Sequence, residues 1–250
     1  MITDTHLHVY DHRYPVSPDA VVHADDASVA DYVLAYPRIR RVVVVQPSAY
    51  GLDNRCQLDA MADFERCGVE ARGVVVVDMT TPQTEIERLH QLGVRGARFH
   101  MLSGGALPWS ELEPVAEIIA PLGWHIQLQL NGRELPGRLA QLLALPTDLV
   151  IDHVGRFMPP VDTDSIEFGS LLSLVDHGRT WVKLSAPYES SSDLTLVEPL
   201  AATLTERHPD RVLWASNWPH PGHRRDTVAW VPERLDADLT DANAAHVYGF

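Results

Sequence analysis

Short apolar or alternating segments recur along the chain, and stretches of helical character separate them. Several segments are nearly continuous runs of Val, Ile and Leu, as is typical of parallel strands covered on both faces. Eight strands are predicted, at 2–8, 42–46, 73–78, 96–101, 125–130, 149–153, 181–185 and 212–216. The alternation predicts a (β/α)₈ TIM barrel, with a doubly wound open sheet as the alternative.

The connecting segments carry signals for helix starts and stops. Thr81 followed by Pro82 predicts an N-cap and a first helical residue. Ser110 with Glu113 predicts a capping box, and Gly123 predicts the end of that helical segment. No linker or low-complexity tract divides the chain, so residues 1–250 are predicted to form a single barrel domain.

Composition and charge restrict the partners. The 250 residues are 45% hydrophobic and carry a net charge of −14, which argues against nucleic acid or an anionic membrane as a partner. The apolar runs are too short to span a bilayer, and the first residues do not resemble a secretion signal, so a cytoplasmic protein is expected. A small anionic substrate needs a local basic pocket on such an acidic chain. A homo-oligomer is left open.

The first strand carries two histidines, His6 and His8, at a spacing that places both on one face. Catalytic groups of such barrels lie at the C-terminal ends of the strands, where His153 is a third candidate after an apolar run. Neighbouring neutral imidazoles bind a divalent metal or donate hydrogen bonds to a substrate. We therefore predict a functional site that contains these three histidines.

Arginines are the expected ligands of an anionic substrate. Arg98 lies between apolar residues on the fourth strand, where an unpaired guanidinium is costly. Either it forms an internal ion pair, with Asp78, Asp152 or Glu113, or it clamps a substrate carboxylate, and the clamp is favoured. Arg156 follows His153 by three residues, in the loop over the barrel mouth.

Two further basic residues have an open role. Arg13, in the loop after the first strand, either closes over the site or remains solvated. Lys183, on the seventh strand, is either a buried amine or part of the packed barrel layers. His220 and His223, beyond the eighth strand, are expected to be loop residues.

As a set, five motifs resemble the amidohydrolase superfamily, and more narrowly its lactonase branch of 2-pyrone-4,6-dicarboxylate lactonases, sugar-acid lactonases and galactarolactone isomerases. The motifs are Asp-Thr-His-Leu-His at 4–8, Val-Gln-Pro-Ser-Ala-Tyr-Gly at 45–51, Gly-Ala-Arg-Phe at 96–99, Ile-Asp-His-Val-Gly-Arg at 151–156 and Trp-Ala-Ser-Asn-Trp-Pro-His at 214–220. The resemblance extends from the first strand to the last five residues. It implies a (β/α)₈ barrel whose pyrone-dicarboxylate members work without a metal.

The resemblance also implies roles for residues at the motif positions. The histidines polarise the lactone, and the arginines hold carboxylates. The implied residues are His6, His8, His153, Arg98 and Arg156, with Tyr50 and Gln129 as further substrate contacts.

One position departs from the resemblance. The strand-8 motif of the branch has an aspartate that acts as the general base, and this chain has Asn217 there. An amide takes up no proton at neutral pH, so base catalysis is expected to be impaired while binding survives. Three explanations stay open: a deliberate Asp-to-Asn change that traps substrate, which we favour; a natural relative that only binds; or another base, such as His153.

The expected function is therefore metal-independent hydrolysis or isomerisation of a carboxylated lactone, either a sugar-acid or a dicarboxylate lactone, with no cofactor. The sugar-acid side is slightly favoured, because a dicarboxylate needs more arginines than the sequence offers. Two alternatives remain. One is a zinc-dependent amidohydrolase or decarboxylase with His6, His8 and His153 as ligands, and the other is a non-catalytic lactone-binding protein.

Overall fold

Eight parallel strands form one sheet in the computed structural model, which describes residues 3–22, 24–223, 229–232 and 235–250. The strands are β1 (Thr3–Leu7), β2 (Arg41–Val45), β3 (Glu70–Val75), β4 (Val94–His100), β5 (His125–Gln129), β6 (Leu149–Ile151), β7 (Thr180–Leu184) and β8 (Val212–Trp214). Their spatial order follows the chain, and every neighbouring pair from β1 to β8 is parallel. The predicted (β/α)₈ barrel is confirmed. The first predicted strand began at Ile2, which lies outside the described residues.

Helices lie between the strands and after the last one. They are α1 (Val29–Ala35), α2 (Arg55–Arg66), α3 (Gln83–Gln91), α4 (Leu112–Ile119), α5 (Leu135–Leu143), α6 (Ile166–Asp176), α7 (Glu198–Arg207) and α8 (Ala237–Tyr248). Within the described part of the chain, no helix has the length and apolar composition needed to cross a membrane.

The apolar strands are buried on both faces. In β2, Val42 and Val44 pack outward in a cluster that includes Phe64 of α2. The alternating Val43 and Val45 belong to a different cluster, with residues of other strands and of α8, namely Val74, Val150, Trp181, Leu213, Ala244 and Tyr248. Burial on both faces accounts for the absence of polar residues from the middle of this strand.

Hydrogen bonds between the two ends of the sheet close the barrel. The backbone N–H of Asn217, just past β8, donates to the His6 carbonyl at 2.9 Å, and that of His8 donates to the Trp218 carbonyl at 2.8 Å. These bonds lie at the C-terminal ends of β1 and β8, next to the histidine motif.

Asp4, buried in β1, reinforces this closure. Its carboxylate accepts bonds from the Ser216 backbone N–H at 2.9 Å, the Ser216 hydroxyl at 2.5 Å and the Tyr32 hydroxyl at 2.8 Å. Burial raises the pKa of Asp4, although these bonds act in the opposite direction. One carboxylate therefore ties β1 to α1 and to the segment after β8.

Two predicted helix starts are wrong. Ser110 lies in a 3₁₀ turn, Trp109–Glu111, and α4 begins at Leu112 with no side-chain capping bond, so Ser110 and Glu113 form no capping box. Pro82 itself is the N-cap of α3, one residue later than predicted. At α4, the preceding 3₁₀ turn moves the helix start past Ser110.

Candidate active site at the C-terminal end of the barrel

A cavity of about 400 Å³ opens where the C-terminal ends of the strands meet. Its wall contains six of the residues predicted from the sequence, namely His8, Arg98, Gln129, His153, Arg156 and Asn217. His100, Glu189, Ser48, Ser103 and Tyr10 also line it.

The two histidines of β1 bond to each other. The Nε2 atoms of His6 and His8 are 3.1 Å apart, and Nδ1 of His8 is 2.8 Å from the Val45 carbonyl oxygen. A carbonyl only accepts, so we assign the proton of neutral His8 to Nδ1 and leave its Nε2 to accept from His6. Burial lowers the pKa of both imidazoles well below the ordinary value. Both ring nitrogens of His8 are therefore already bonded.

A fully buried charge cluster lies beneath His6. Oδ1 of Asp152 is 3.2 Å from Nδ1 of His6 and 3.6 Å from Nζ of Lys183. Lys183 also donates to Oε1 of Gln127 at 2.6 Å. Although burial acts to raise it, the charge of nearby Lys183 holds the pKa of Asp152 well below its ordinary value, since the neutral His6 ring carries no charge. Burial lowers the pKa of Lys183 to about 8.

Arg98 on β4 is buried without forming an ion pair to any described residue. Its guanidinium donates to the Gln46 carbonyl at 2.5 Å and to Oε1 of Gln129 at 2.8 Å, and its buried Nε has no partner. The internal ion pairs considered from the sequence, with Asp78, Asp152 or Glu113, do not form. A buried, unpaired positive charge on the cavity wall attracts an anion.

The loop after β6 leaves the strand sooner than predicted. His153 lies in a 3₁₀ turn, His153–Gly155, with a φ of 55°, and Arg156 follows with a φ of 48°. Nδ1 of His153 bonds the Ser185 hydroxyl at 2.9 Å, and burial lowers the pKa of its imidazole. Arg156 pairs with Glu189 at 3.2 Å. These left-handed residues turn both side chains to the cavity wall.

Asn217 follows β8, which lies across the barrel from β4 and β5. It is buried and has a left-handed φ of 59°. Its amide nitrogen donates to the Tyr188 hydroxyl at 2.9 Å, and that hydroxyl is 2.8 Å from Nδ1 of His220. His220 is a loop residue, as expected from the sequence, and it is buried. These contacts leave the amide oxygen of Asn217 without a bond to the described residues.

Two predicted substrate contacts lie elsewhere. The Tyr50 hydroxyl bonds the backbone of Asp11, at 2.8 Å to its N–H and 3.1 Å to its carbonyl, outside the cavity wall. Arg13 is 74% exposed and pairs with the carboxylate of Asp11. The structure therefore does not bring either side chain to the other predicted residues.

The sequence assigned no catalytic or substrate-binding role to four other residues of the site, although Lys183 was considered as a buried amine and Asp152 as a partner of Arg98. His100 stands two positions after Arg98, and this strand spacing was the available signal for it. Glu189 had no such signal, because it comes from a 3₁₀ turn, Pro187–Glu189, after β7. Asp152 and Lys183 lie at or near strand ends, but their pairing could be predicted only from the register of β6 against β7.

The charges argue against the zinc set proposed from the sequence. Among the described residues near the cavity, the donors close enough to share one ion are His6, Asp152 and His153, and His8 is not part of that group. Lys183 is already within 3.6 Å of Asp152, and Arg98 adds a second buried positive charge. A divalent cation beside these two cations is electrostatically unfavourable.

Comparisons with known proteins agree with this architecture. A family model described as Amidohydrolase matches residues 3–250. The chain is 33% identical over 244 residues to D-galactarolactone isomerase of Agrobacterium fabrum (strain C58 / ATCC 33970), covering 95% of this chain and 82% of that protein. It is 36% identical over 236 residues to 2-pyrone-4,6-dicarboxylate hydrolase of Comamonas testosteroni, covering 87% and 76%. An apo crystal structure from Agrobacterium tumefaciens, 29% identical, superimposes with a TM-score of 0.87, covering 100% of this chain and 96% of that one.

Proposed function

This chain belongs to the amidohydrolase family, and from that premise we propose that it hydrolyses or isomerises a small carboxylated lactone without a metal ion. The observation that carries the proposal is Arg98, a buried guanidinium on the cavity wall that forms no ion pair within the described chain. A carboxylate there forms charge-assisted hydrogen bonds, and the site lies where barrel enzymes hold their substrates.

The free ring nitrogen of His153 suits it to proton transfer. Its Nδ1 bonds Ser185, whereas Nε2 has no partner among the described residues and is not sealed from the cavity. Because burial lowers the pKa of His153, the imidazole is neutral and can accept a proton at neutral pH. His6 and His8, with their nitrogens bonded to neighbours, are better suited to positioning than to direct contact with the lactone.

The reaction follows from these assignments. In hydrolysis, water adds to the lactone carbonyl carbon and passes one proton to His153. The ring C–O bond then breaks, and the same proton moves to the departing alkoxide. In isomerisation, a hydroxyl of the substrate takes the place of water. The positive charge of Arg98 on the cavity wall, which attracts the carboxylate, also stabilises the developing oxyanion.

Asn217 limits this chemistry. An aspartate at this position would be a stronger acceptor for the proton of the attacking group, whereas the amide oxygen only accepts a hydrogen bond. We therefore propose that the chain as it stands binds its lactone and turns it over slowly, with His153 as the residual base.

The test is turnover of a panel of sugar-acid and dicarboxylate lactones by the protein and its Asn217→Asp variant, with metal content measured in both. The variant is expected to be about 10²- to 10⁴-fold faster on at least one lactone, the usual contribution of a positioned general base. Asn131→Asp is the control, because it adds the same charge outside the cavity wall.

Other outcomes have defined meanings. If activity follows bound zinc and disappears with a chelator, the metal-independent mechanism is wrong. If the protein binds lactones but neither form turns them over, the chain is a binding protein. If no lactone binds, the proposed function fails entirely.

A further inference from the structure

The hydrogen bonds around Gln129 fix the proton of a neighbouring histidine. Arg98 can only donate, so the Gln129 atom that it contacts at 2.8 Å is the amide oxygen, Oε1. The same oxygen lies 3.0 Å from Nδ1 of His100. An amide oxygen only accepts, so Nδ1 of His100 carries the hydrogen, and Nε2 of the neutral ring is left with a lone pair.

This lone pair is available to a ligand. His100 lines the cavity, and its Nε2 has no bond to any residue that the structure describes. Nε2 of His100 is also reached by solvent. Burial, with help from nearby Arg98, lowers the pKa of His100 to about 3, so the ring stays neutral at physiological pH. His100 thus presents a hydrogen-bond acceptor and no charge to the cavity.

The cavity wall also carries more positive than negative charge. Arg156 is paired with Glu189 at 3.2 Å, which leaves Arg98 as the unpaired cation on the described part of the wall. One unpaired guanidinium matches one carboxylate, whereas a second carboxylate would lie near Glu189 or would have to displace it from Arg156. The cavity wall therefore favours a monoanion.

From these observations we propose that His100 is a specificity-determining residue that accepts a hydrogen bond from a substrate hydroxyl, so that the site selects a hydroxylated lactone with one carboxylate. The inference rests on the proposed lactone function and narrows it to monolactones of sugar acids. A planar, unsaturated dicarboxylate lactone has no hydroxyl to donate to His100 and one anionic group too many.

The test uses two ligands that differ only in hydroxyl groups: galactaro-1,4-lactone and its 2,3,5-trideoxy analogue, which has no alcohol group left. Calorimetry measures the dissociation constant of each for the protein and for His100→Phe, which keeps the ring and removes the acceptor. The protein is expected to bind the hydroxylated lactone about tenfold more tightly than the analogue, the upper range for one hydrogen bond. In His100→Phe this preference falls to about onefold.

The ratio of the two constants is the decisive quantity, because a general loss of folding or packing affects both ligands alike. His90→Phe is the matched control, since His90 is a histidine outside the cavity wall that accepts from Trp124, and it leaves the preference unchanged. Pyrone-4,6-dicarboxylate is measured alongside and is expected to bind more weakly than galactarolactone.

The possible failures are distinguishable. Equal binding of the two galactarolactone ligands, or a preference that persists in His100→Phe, overturns the role of His100 and leaves the proposed lactone function standing. Tighter binding of pyrone-4,6-dicarboxylate overturns the single-carboxylate selection alone. Absence of binding by any carboxylated lactone overturns both the proposed function and this inference.

Discussion

Replacing Lys183 with methionine removes one charge from the buried cluster beneath His6 and keeps an apolar side chain of similar length. The ammonium is 3.6 Å from Asp152, and both side chains are fully buried. At an effective dielectric constant of about 20, this pair attracts by about 5 kcal/mol. Desolvation offsets much of that attraction in the intact protein, but Lys183→Met leaves the carboxylate of Asp152 uncompensated, which costs about 3–5 kcal/mol.

Urea and thermal denaturation measure this cost. For a chain of this size, about 4 kcal/mol corresponds to a melting temperature lower by about 10 °C. The matched control is Arg179→Met, which breaks a half-exposed pair with Asp148 at 3.3 Å and is expected to cost less than about 1 kcal/mol. Adding Asp152→Asn to Lys183→Met removes the uncompensated carboxylate and should restore part of the lost free energy of unfolding. A Lys183→Met variant as stable as the original protein would refute the assignment of Lys183 as the counter-ion.

Two further predictions concern the substrate and acid stability. Arg98→Met is expected to raise the dissociation constant of a carboxylated lactone by about 10- to 150-fold, the worth of a charged hydrogen bond, as measured by calorimetry; an unchanged constant would place the carboxylate elsewhere. His125, buried with no partner for either ring nitrogen, has its pKa lowered by burial from the ordinary 6.5 to about 3. The unfolded chain therefore binds more protons between these values, so the free energy of unfolding falls as pH drops below 6.5. Urea titrations at pH 7.5 and pH 5 measure how much free energy of unfolding is lost on acidification. The loss should be about 2 kcal/mol smaller for His125→Phe than for the original protein, because each pH unit below 6.5 costs about 1.4 kcal/mol. An identical loss would contradict the neutral buried imidazole.

The barrel was predictable from the sequence because its signal is local. Runs such as 42–45 and 149–151 are too apolar and too short for anything but buried strands, and their number and spacing indicated the topology. The ends of strands were less predictable. His153 was assigned to a strand, but a left-handed φ of 55° takes it out of the sheet, and nothing in the residue type signals that conformation.

Contacts between side chains from different strands and loops were the part of the site that was hardest to predict from the sequence. Arg98 was singled out by its apolar neighbours and lines the cavity, but its bond to Gln129 depends on the register of β4 against β5. Tyr50 and Arg13 came from loops, whose direction no periodicity reveals, and both side chains bond Asp11 instead. Residues paired through strand register or placed by loops need coordinates, whereas those at strand ends can be proposed from the sequence.

The closure of the barrel also has a consequence for protein synthesis. The bonds of Asp4 to Ser216 and of Asn217 to the His6 carbonyl join β1 to the segment after β8, and Ser216 leaves the ribosome 212 residues after Asp4. The histidines of β1 are made long before this segment, yet their surroundings are complete only after the segment past β8 has emerged. A nascent chain stalled before residue 212 therefore carries the histidines without the groups that hold them. Lactone binding should therefore appear only after the segment past β8 has been made.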